Sequence, residues 1–410
     1  MKNIITVLQE RGFIDQMTSE ELLKHVLQPI KVYVGFDPTA DSLHLGNLVG
    51  IMGLAWFQRF GHTAVPLLGG ATGLIGDPSG KSLERPLLDE KTLAYNVRKL
   101  ESFFQKIVPD CKVVNNDQWI GQFSLIDFLR DVGKHFRIGP MLAKESVRAR
   151  VQSEEGMSFT EFSYQTLQGY DFYYLNKHHG VTLQMGGSDQ WGNITAGIDL
   201  NRKLGGTPIY GITFPLLTRS DGKKFGKSED GAIWLSEEKL SPYQLYQYLF
   251  RVPDADVIRL LKMLTFLDLE EIAEIEQQMH VPNSAQKRLA VEVVRFVHGE
   301  EGVQSALKET SSMAPGSETD LRADTLKNLP HTALGREEVV GQKFLDIVTR
   351  LGMTPSKSEA TRLIKNGGAY MNNERVNDVA LVIDEKDLIE NTYLLLSTGK
   401  KNKKLIKIAR

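Results

Sequence analysis

The chain has 410 residues, 41% of them hydrophobic and 24% charged, with a net charge of −2, enough apolar content for two or three cored domains and no compositional sign of disorder. No apolar run approaches the roughly 20 residues that span a bilayer. A single cysteine, Cys111, excludes internal disulfides and cysteine-rich zinc sites, and the nine histidines show no metal-binding spacing. The expected setting is a reducing cytoplasm, with no membrane and no DNA as partner.

Residues 1–25 read as an amphipathic helix carrying acids, unlike a signal or transit peptide. "KVYVGF" (31–36) alternates like a strand, residues 47–60 carry apolar groups at helical spacing, and "HTAVPLLGG" (62–70) is a second strand. That order is βαβ, the unit of a parallel sheet with a right-handed crossover. Further strands are predicted at 111–116, 181–187 and 210–217, with helices at 89–107, 122–136, 140–152 and 159–178. The alternation predicts an α/β fold with a doubly wound, Rossmann-like parallel sheet over residues 1–229.

After Gly226 the strand signal stops. Four segments with Ser, Asp or Asn at their starts predict a helical domain over 230–310. Residues 311–339 are polar, with Pro and Gly, and read as a linker. From 340 to 410 a helix ended by Gly-Gly, then a strand and a turn, predict a small α/β domain. That last domain holds 13 Lys and Arg against 8 Asp and Glu, on an otherwise acidic chain. Such a bias suits a polyanion, although a solvated basic face would look the same.

Three stretches carry chemistry. The Gly-rich "LLGGATGLIGDPSGKS" (67–82) fits neither GxxxxGK[ST] nor GxGxxG, which excludes a P-loop and an ordinary dinucleotide loop. Its glycines allow close backbone approach to a ligand, with Asp77 as a buried-carboxylate candidate. In "GFDPTADSLHLGN" (35–47), Pro38 forces the chain out of the strand, and Asp41 and Ser42 are natural caps for a helix beginning near His44. His44 then falls in a first turn, where free N–H groups and the helix dipole favour an anion. Thr39, His44 and Asn47 can donate toward a phosphate there, and Gly46 leaves room for a flat ring. In "DGKKFGKSED" (221–230), Lys224 and Lys227 with Ser228 place two cations and a hydroxyl on one loop.

"HLGN" and "KFGKS" resemble the HIGH and KMSKS signatures of class I aminoacyl-tRNA synthetases. With "YVGFDPTADSLHLGN", "GGATGLIGDPSGK", "FTEFSYQTLQGYDF" and "LQMGGSDQWGNI" the chain is similar, end to end, to the bacterial tyrosyl-tRNA synthetase family. Two departures stand out. Asn47 replaces the last His of HIGH, and Phe225 and Gly226 replace Met and Ser of KMSKS.

The resemblance implies activation of L-tyrosine by ATP, with Mg2+ accompanying the nucleotide and no permanent cofactor, then transfer to the 3′ end of tRNA(Tyr). It implies catalytic roles for Thr39, His44, Lys224, Lys227 and Ser228. Tyrosine would meet Tyr33, Asp77, Tyr164, Gln168, Asp171 and Gln190, with the phenol at Tyr33 and Asp171. ATP would meet Gly35, Asp37, Gly46, Asn47, Gly187, Asp189 and Lys227. Lys81 and Arg85 would belong to a second loop near the phosphates. Tyr164, Gln168 and Asp171, at i, i+4 and i+7, share one helical face. Phe172 and Tyr173 read as core aromatics.

Arg350, Lys357, Arg362 and Lys365 would contact tRNA phosphates from a domain resembling a ribosomal protein's RNA-binding unit. The helical domain would read the anticodon region, and residues 128–145 would lie at the seam of a homodimer. The rival readings are a tryptophanyl-tRNA synthetase and a non-catalytic RNA-binding paralogue.

Overall fold

The computed structural model describes residues 2–79, 88–222, 225–228, 231–313, 321, 323–326, 331–399 and 402–409. Lys81, Arg85 and Lys224 lie outside the described residues, and Lys227 and Ser228 are described in their backbone alone. The chain divides into two units, Met1–Leu240 with Leu249–Val297, and Ser241–Tyr248 with His298–Arg410.

The first unit is built on six strands: β1 (Gln16–Met17), β2 (Lys31–Phe36), β3 (Thr63–Leu68), β4 (Val114–Asn115), β5 (Leu183–Gly187) and β6 (Tyr210–Phe214). Their order is β1-β6-β5-β2-β3-β4. Every pairing is parallel except that of β1 with β6. Helices cover both faces of the central strands, which is why β3, β5 and β6 read as nearly unbroken buried runs rather than alternating ones.

The predicted doubly wound sheet is therefore present, with local differences. Residues 1–25 are not one helix: Ile4–Glu10 is helical, then the chain adds β1 to the sheet edge before a short helix, Leu22–His25. The last strand stops at Phe214 because Pro215 has no N–H to give the ladder. Tyr173 is half-exposed rather than core, whereas Phe172 is fully buried against Tyr33.

Strand order reverses at β2, which has β3 on one side and β5 on the other. In open α/β sheets the crevice beyond the carboxyl ends of such strands is where ligands sit. Beyond β2, β3 and β5 lie residues 37–47, 69–79 and 188–193. The helix Phe159–Tyr174, capped by Ser158 Oγ on Glu161 N (3.2 Å), packs beside the helix Trp191–Lys203 and faces that crevice.

Helices Asp254–Leu264, Leu269–Gln277 and the start of the run Ser284–Ser312 complete this unit. Arg11 is buried and donates to the carbonyls of Lys262 (2.7 Å), Leu267 (2.8 Å) and Thr265 (2.8 Å), satisfying the end of the first of those helices.

Strand structure does not end at Gly226. A small hairpin, β7 (Lys227–Ser228) with β8 (Gly231–Ala232), follows. In the second unit β9 (His331–Leu334), β10 (Ala369–Met371), β11 (Glu374–Arg375), β12 (Tyr393–Thr398) and β13 (Asn402–Ile408) form a sheet ordered β11-β10-β12-β13-β9. Residues 331–334, read as linker, are its edge strand, parallel to β13.

Alternation along β12 explains its apolar run. Leu394 and Leu396 join the core with Phe344, Ile347 and Ile364. Tyr393 and Leu395 face the other way, into a cluster with Tyr243, Met313 and Leu326.

Candidate active site

The turn after β2 is the first component. His44, not Asp41 or Ser42, caps the helical run, with φ −116° and ψ 169°. Its Nδ1 accepts from Gly46 N (3.1 Å), and Asn47 Oδ1 accepts from His44 N (3.1 Å), a reciprocal capping box. Asp41 is instead paired with Lys239 (2.7 Å), and Ser42 Oγ accepts from Ser236 N (3.1 Å). The cap sits later than the side-chain types suggest because residues 43–45 are held extended. Leu45 N donates to Ile233 O (2.7 Å) and Leu235 N to Leu43 O (2.9 Å).

With Ile233 N donating to Gly226 O (3.0 Å), Ile233 links the two signature segments by backbone. The bond on Nδ1 also fixes the His44 tautomer: Nδ1 accepts, so the ring proton is on Nε2 and points away from the backbone. Gly46 is required here, because a Cβ would lie 2.9 Å from His44 Cε1.

Asp37, expected at the nucleotide, has its carboxylate held by two hydroxyls. Tyr164 Oη donates to its Oδ2 (3.0 Å) and Thr72 Oγ1 to its Oδ1 (3.0 Å). Thr72 Oγ1 in turn accepts from Asn116 Nδ2 (3.0 Å). Asn116 Nδ2 also donates to Asp171 Oδ2 (3.1 Å), and Trp119 Nε1 donates to Asp171 Oδ1 (2.7 Å). One chain of hydrogen bonds thus runs from Tyr164 to the buried Asp171.

Tyr33 Oη is buried without a hydrogen-bond partner among the described residues. Burial, and then the charge of Asp171, push its pKa well up, so it stays a phenol. Burial likewise drives Tyr164 upward, reinforced by Asp37.

A second cluster holds the other carboxylate. Gln190 Nε2 donates to Asp77 Oδ2 (2.8 Å), and Ser79 N to Asp77 Oδ1 (2.9 Å). Gln168 Nε2 reaches Gln190 Oε1 (3.3 Å), and Asn193 Nδ2 bonds Gln168 Oε1 (2.9 Å). Tyr164, Gln168 and Asp171 do share a face, and each is anchored to a different partner. Gly187, at the end of β5, lets Asp189 fold back: a Cβ would lie 2.6 Å from its Oδ1. Gly35 lies exposed on β2, and a Cβ there would meet nothing within 4 Å. Thr39 is exposed at the mouth of the same turn.

Thr72, Asn116, Trp119 and Asn193 were not singled out in the sequence. The signal available was position: "NNDQW" follows a strand and Asn193 closes "GGSDQWGN", both at carboxyl ends of the sheet.

Burial pushes the Asp171 carboxyl up to about 7, opposed by the bonds from Asn116 and Trp119. Between the ordinary carboxylate range and 7 the unfolded chain ionises while the folded one keeps its proton. Stability is therefore lost as pH rises through that window. Asp171→Asn should gain on the parent chain by on the order of 2–3 kcal/mol in unfolding free energy between pH 5 and pH 8. Denaturant melts at the two pH values check this, and a constant difference contradicts it.

In the second unit the basic residues are already in ion pairs: Lys357 with Asp346 (2.8 Å), Arg362 with Glu359 (2.6 Å) and Arg350 with Glu338 (3.6 Å). Exposed pairs of this kind contribute about 0–1 kcal/mol, so a phosphate can displace the acid at little cost. Lys365 is exposed on the same helix, Lys357–Lys365.

A family model described as "tRNA synthetases class I (W and Y)" matches residues 25–314, and one described as "Tyrosine--tRNA ligase SYY-like C-terminal domain" matches 322–406. The chain is 57% identical to the tyrosine–tRNA ligase of Protochlamydia amoebophila, over 100% of this chain and 99% of that one. It is 52% identical to the chloroplastic/mitochondrial tyrosine–tRNA ligase of Arabidopsis thaliana, over 99% of this chain and 84% of the other. Among solved structures, a C-terminally truncated mitochondrial tyrosyl-tRNA synthetase of Coccidioides posadasii is 35% identical with a TM-score of 0.65, covering 75% of this chain and 92% of its own.

Proposed function

The chain belongs to the class I tyrosyl-tRNA synthetases and has the activity of a tyrosine–tRNA ligase; from that premise we propose how its residues divide the work. The observation that carries the division is the buried Asp171. Each of its oxygens already accepts one N–H, and the Tyr33 hydroxyl beside it in the core has no partner among the described residues. A substrate phenol entering there donates to Asp171 and accepts from Tyr33. A tryptophan indole, which has no acceptor for Tyr33, leaves that hydroxyl unsatisfied. Asp77, Tyr164, Gln168 and Gln190 then take the substrate ammonium, and Asp37 orients Tyr164 toward it.

Tyrosine's carboxylate is the nucleophile and is ionised at neutral pH, so the reaction needs no general base. The carboxylate oxygen attacks the α-phosphorus of ATP, and the bond to the β-phosphate oxygen breaks. Rate comes from alignment and from holding the charge that grows on the departing pyrophosphate. His44 Nε2–H and Thr39 face that charge from one side. Lys224, Lys227 and Ser228 close from the other, with Lys81 and Arg85 on a further loop. Asn47, whose Oδ1 is committed to the cap, turns its Nδ2 donors to the nucleotide. Gly35 leaves room for the nucleoside, Gly46 and Gly187 let His44 and Asp189 close in beside it, and Asp189 takes the ribose. Mg2+ enters with the ATP, and no permanent cofactor is involved.

In the second step the 3′-terminal hydroxyl of tRNA(Tyr) attacks the activated carbonyl. Residues 1–229 carry the chemistry, 230–310 read the anticodon region, and 340–410 grip tRNA phosphates with Arg350, Lys357, Arg362 and Lys365, contacts that position rather than specify. The setting is cytoplasmic. Tyrosine-dependent ATP–pyrophosphate exchange, with charging of tRNA(Tyr), is the test. Exchange with tryptophan instead, or none, contradicts the reading.

The chain works as a homodimer through the 128–145 segment. Leu129, Ile138 and Leu142 are large apolar side chains exposed in that segment, and Leu125 and Ile126 just before it are exposed as well; apolar surface of this kind marks an interaction site where it is contiguous. Ile138→Glu is expected to shift sedimentation toward a monomer at micromolar concentration. An unchanged oligomer places the seam elsewhere.

A further inference from the structure

We propose that Gly226 is a positioning residue for adenylate formation, seating the KFGKS segment backbone-to-backbone on the turn that His44 caps. The proposal rests on the catalytic reading above and extends it to a residue where the KMSKS signature has serine. Gly226 is buried, with φ +85°. A Cβ on it would lie 2.8 Å from Gly46 N, 3.2 Å from Leu45 Cβ and 3.3 Å from Leu45 C. Two of those three are backbone atoms, which cannot swing aside.

Neither partner can easily retreat. Leu45 is fully buried and its N–H is bonded to Ile233 O (2.7 Å). Gly226 O accepts from Ile233 N (3.0 Å), and Phe225, itself buried, donates its N–H to Leu217 O (3.0 Å). Ile233 therefore bonds both signatures at once, through its N–H to one and its C=O to the other. From the opposite side, Gly46 presents the N–H that His44 Nδ1 accepts, and the space its missing Cβ leaves is bounded by the His44 ring and Phe225 O.

The amide that fixes the His44 tautomer is thus the atom against which Gly226 rests. Lys227 and Ser228 follow Gly226 directly, so any displacement of the seat moves them relative to His44 while leaving the tyrosine pocket alone. A methyl group at 226 has two separable effects, strain at a positive φ and collision with Gly46. Gly222 provides the control. It has φ +80°, and a Cβ there would meet nothing within 4 Å, so Gly222→Ala carries the strain without the collision.

The experiment compares full-length Gly226→Ala and Gly222→Ala with the parent chain. Adenylate formation is followed with rates referred to the concentration of tyrosine-binding sites, and tyrosine affinity and melting temperature are measured alongside. Gly222→Ala should stay within about threefold of the parent, whereas Gly226→Ala should lose on the order of 10²-fold in kcat with tyrosine affinity unchanged, as a misplacement near 1 Å can cause. Equal rates for the two variants, or a parallel loss of tyrosine affinity in Gly226→Ala, overturn the proposal. If the parent chain itself shows no tyrosine-dependent exchange, the functional reading has failed rather than the seat. Should Gly226→Ala not fold, hydrogen exchange on the parent chain reads the same contact: slow exchange of the Ile233 amide supports it, and exchange at the rate of a free amide overturns it.

Discussion

His44→Ala should lower the rate of adenylate formation by about 10²–10³-fold while leaving tyrosine affinity nearly unchanged, because the lost donor acts on charge that exists only as pyrophosphate departs. The ring lies on the turn after β2, whereas Asp77 follows β3 and Asp171 is on the helix Phe159–Tyr174. Loss confined to kcat is the signature of an interaction made in the transition state. His44→Asn is informative beside it. Its Oδ1 can take over the cap on Gly46 N and its Nδ2 can donate outward, so part of the activity should return. Equal losses in rate and tyrosine affinity would show that the residue supports the fold of the pocket instead. Stopped-flow fluorescence on tyrosine binding and on adenylate formation separates the two.

The second large effect is on substrate choice. Above pH 7, where the Asp171 carboxyl is ionised, Asp171→Asn should cut the preference for tyrosine over phenylalanine by about 10–100-fold, since hydrogen bonds to a charged acceptor are worth roughly 1.5–3 kcal/mol. Tyr33→Phe removes a neutral partner and should cost about tenfold or less. Both changes act on kcat/KM for tyrosine, with phenylalanine little affected, because it has no hydroxyl to lose either partner. The stability prediction for Asp171→Asn runs the other way. A residue whose burial costs the parent chain stability as pH rises, while its loss impairs selection, is one kept for recognition. Unchanged selectivity in Asp171→Asn would remove the phenol from this end of the crevice.

Much of this was legible from residue patterns. The βαβ alternation gave the sheet and its carboxyl edge, and the i, i+4, i+7 stripe of Tyr164, Gln168 and Asp171 does face one crevice. What escaped was set by long-range pairing. Asp41 and Ser42 have the chemistry of caps, yet the ladder between 43–45 and 233–235, segments some 190 residues apart, holds that stretch extended and passes the cap to His44. The two-residue β1 and the hairpin after Gly226 are too short for periodicity to register.

Asn116 and Trp119 were missed for a different reason. Each is an unremarkable turn residue until Asp171 arrives from another helix to accept from both. Asp37 shows the same effect: its carboxylate accepts from Thr72 and Tyr164, 35 and 127 positions away, which no local pattern indicates. Position along the chain indicated a crevice residue, and only geometry showed which side chains hold it.

The central claim is that the capped turn and the KFGKS segment grip the departing diphosphate together. A crystal structure of the full chain with tyrosine and a non-hydrolysable ATP analogue tests it most directly. The account predicts β- and γ-phosphate oxygens within hydrogen-bond distance of His44 Nε2 and of the lysines flanking Phe225 and Gly226. Phosphates lying beyond reach of both, with the same tyrosine pose, would contradict it.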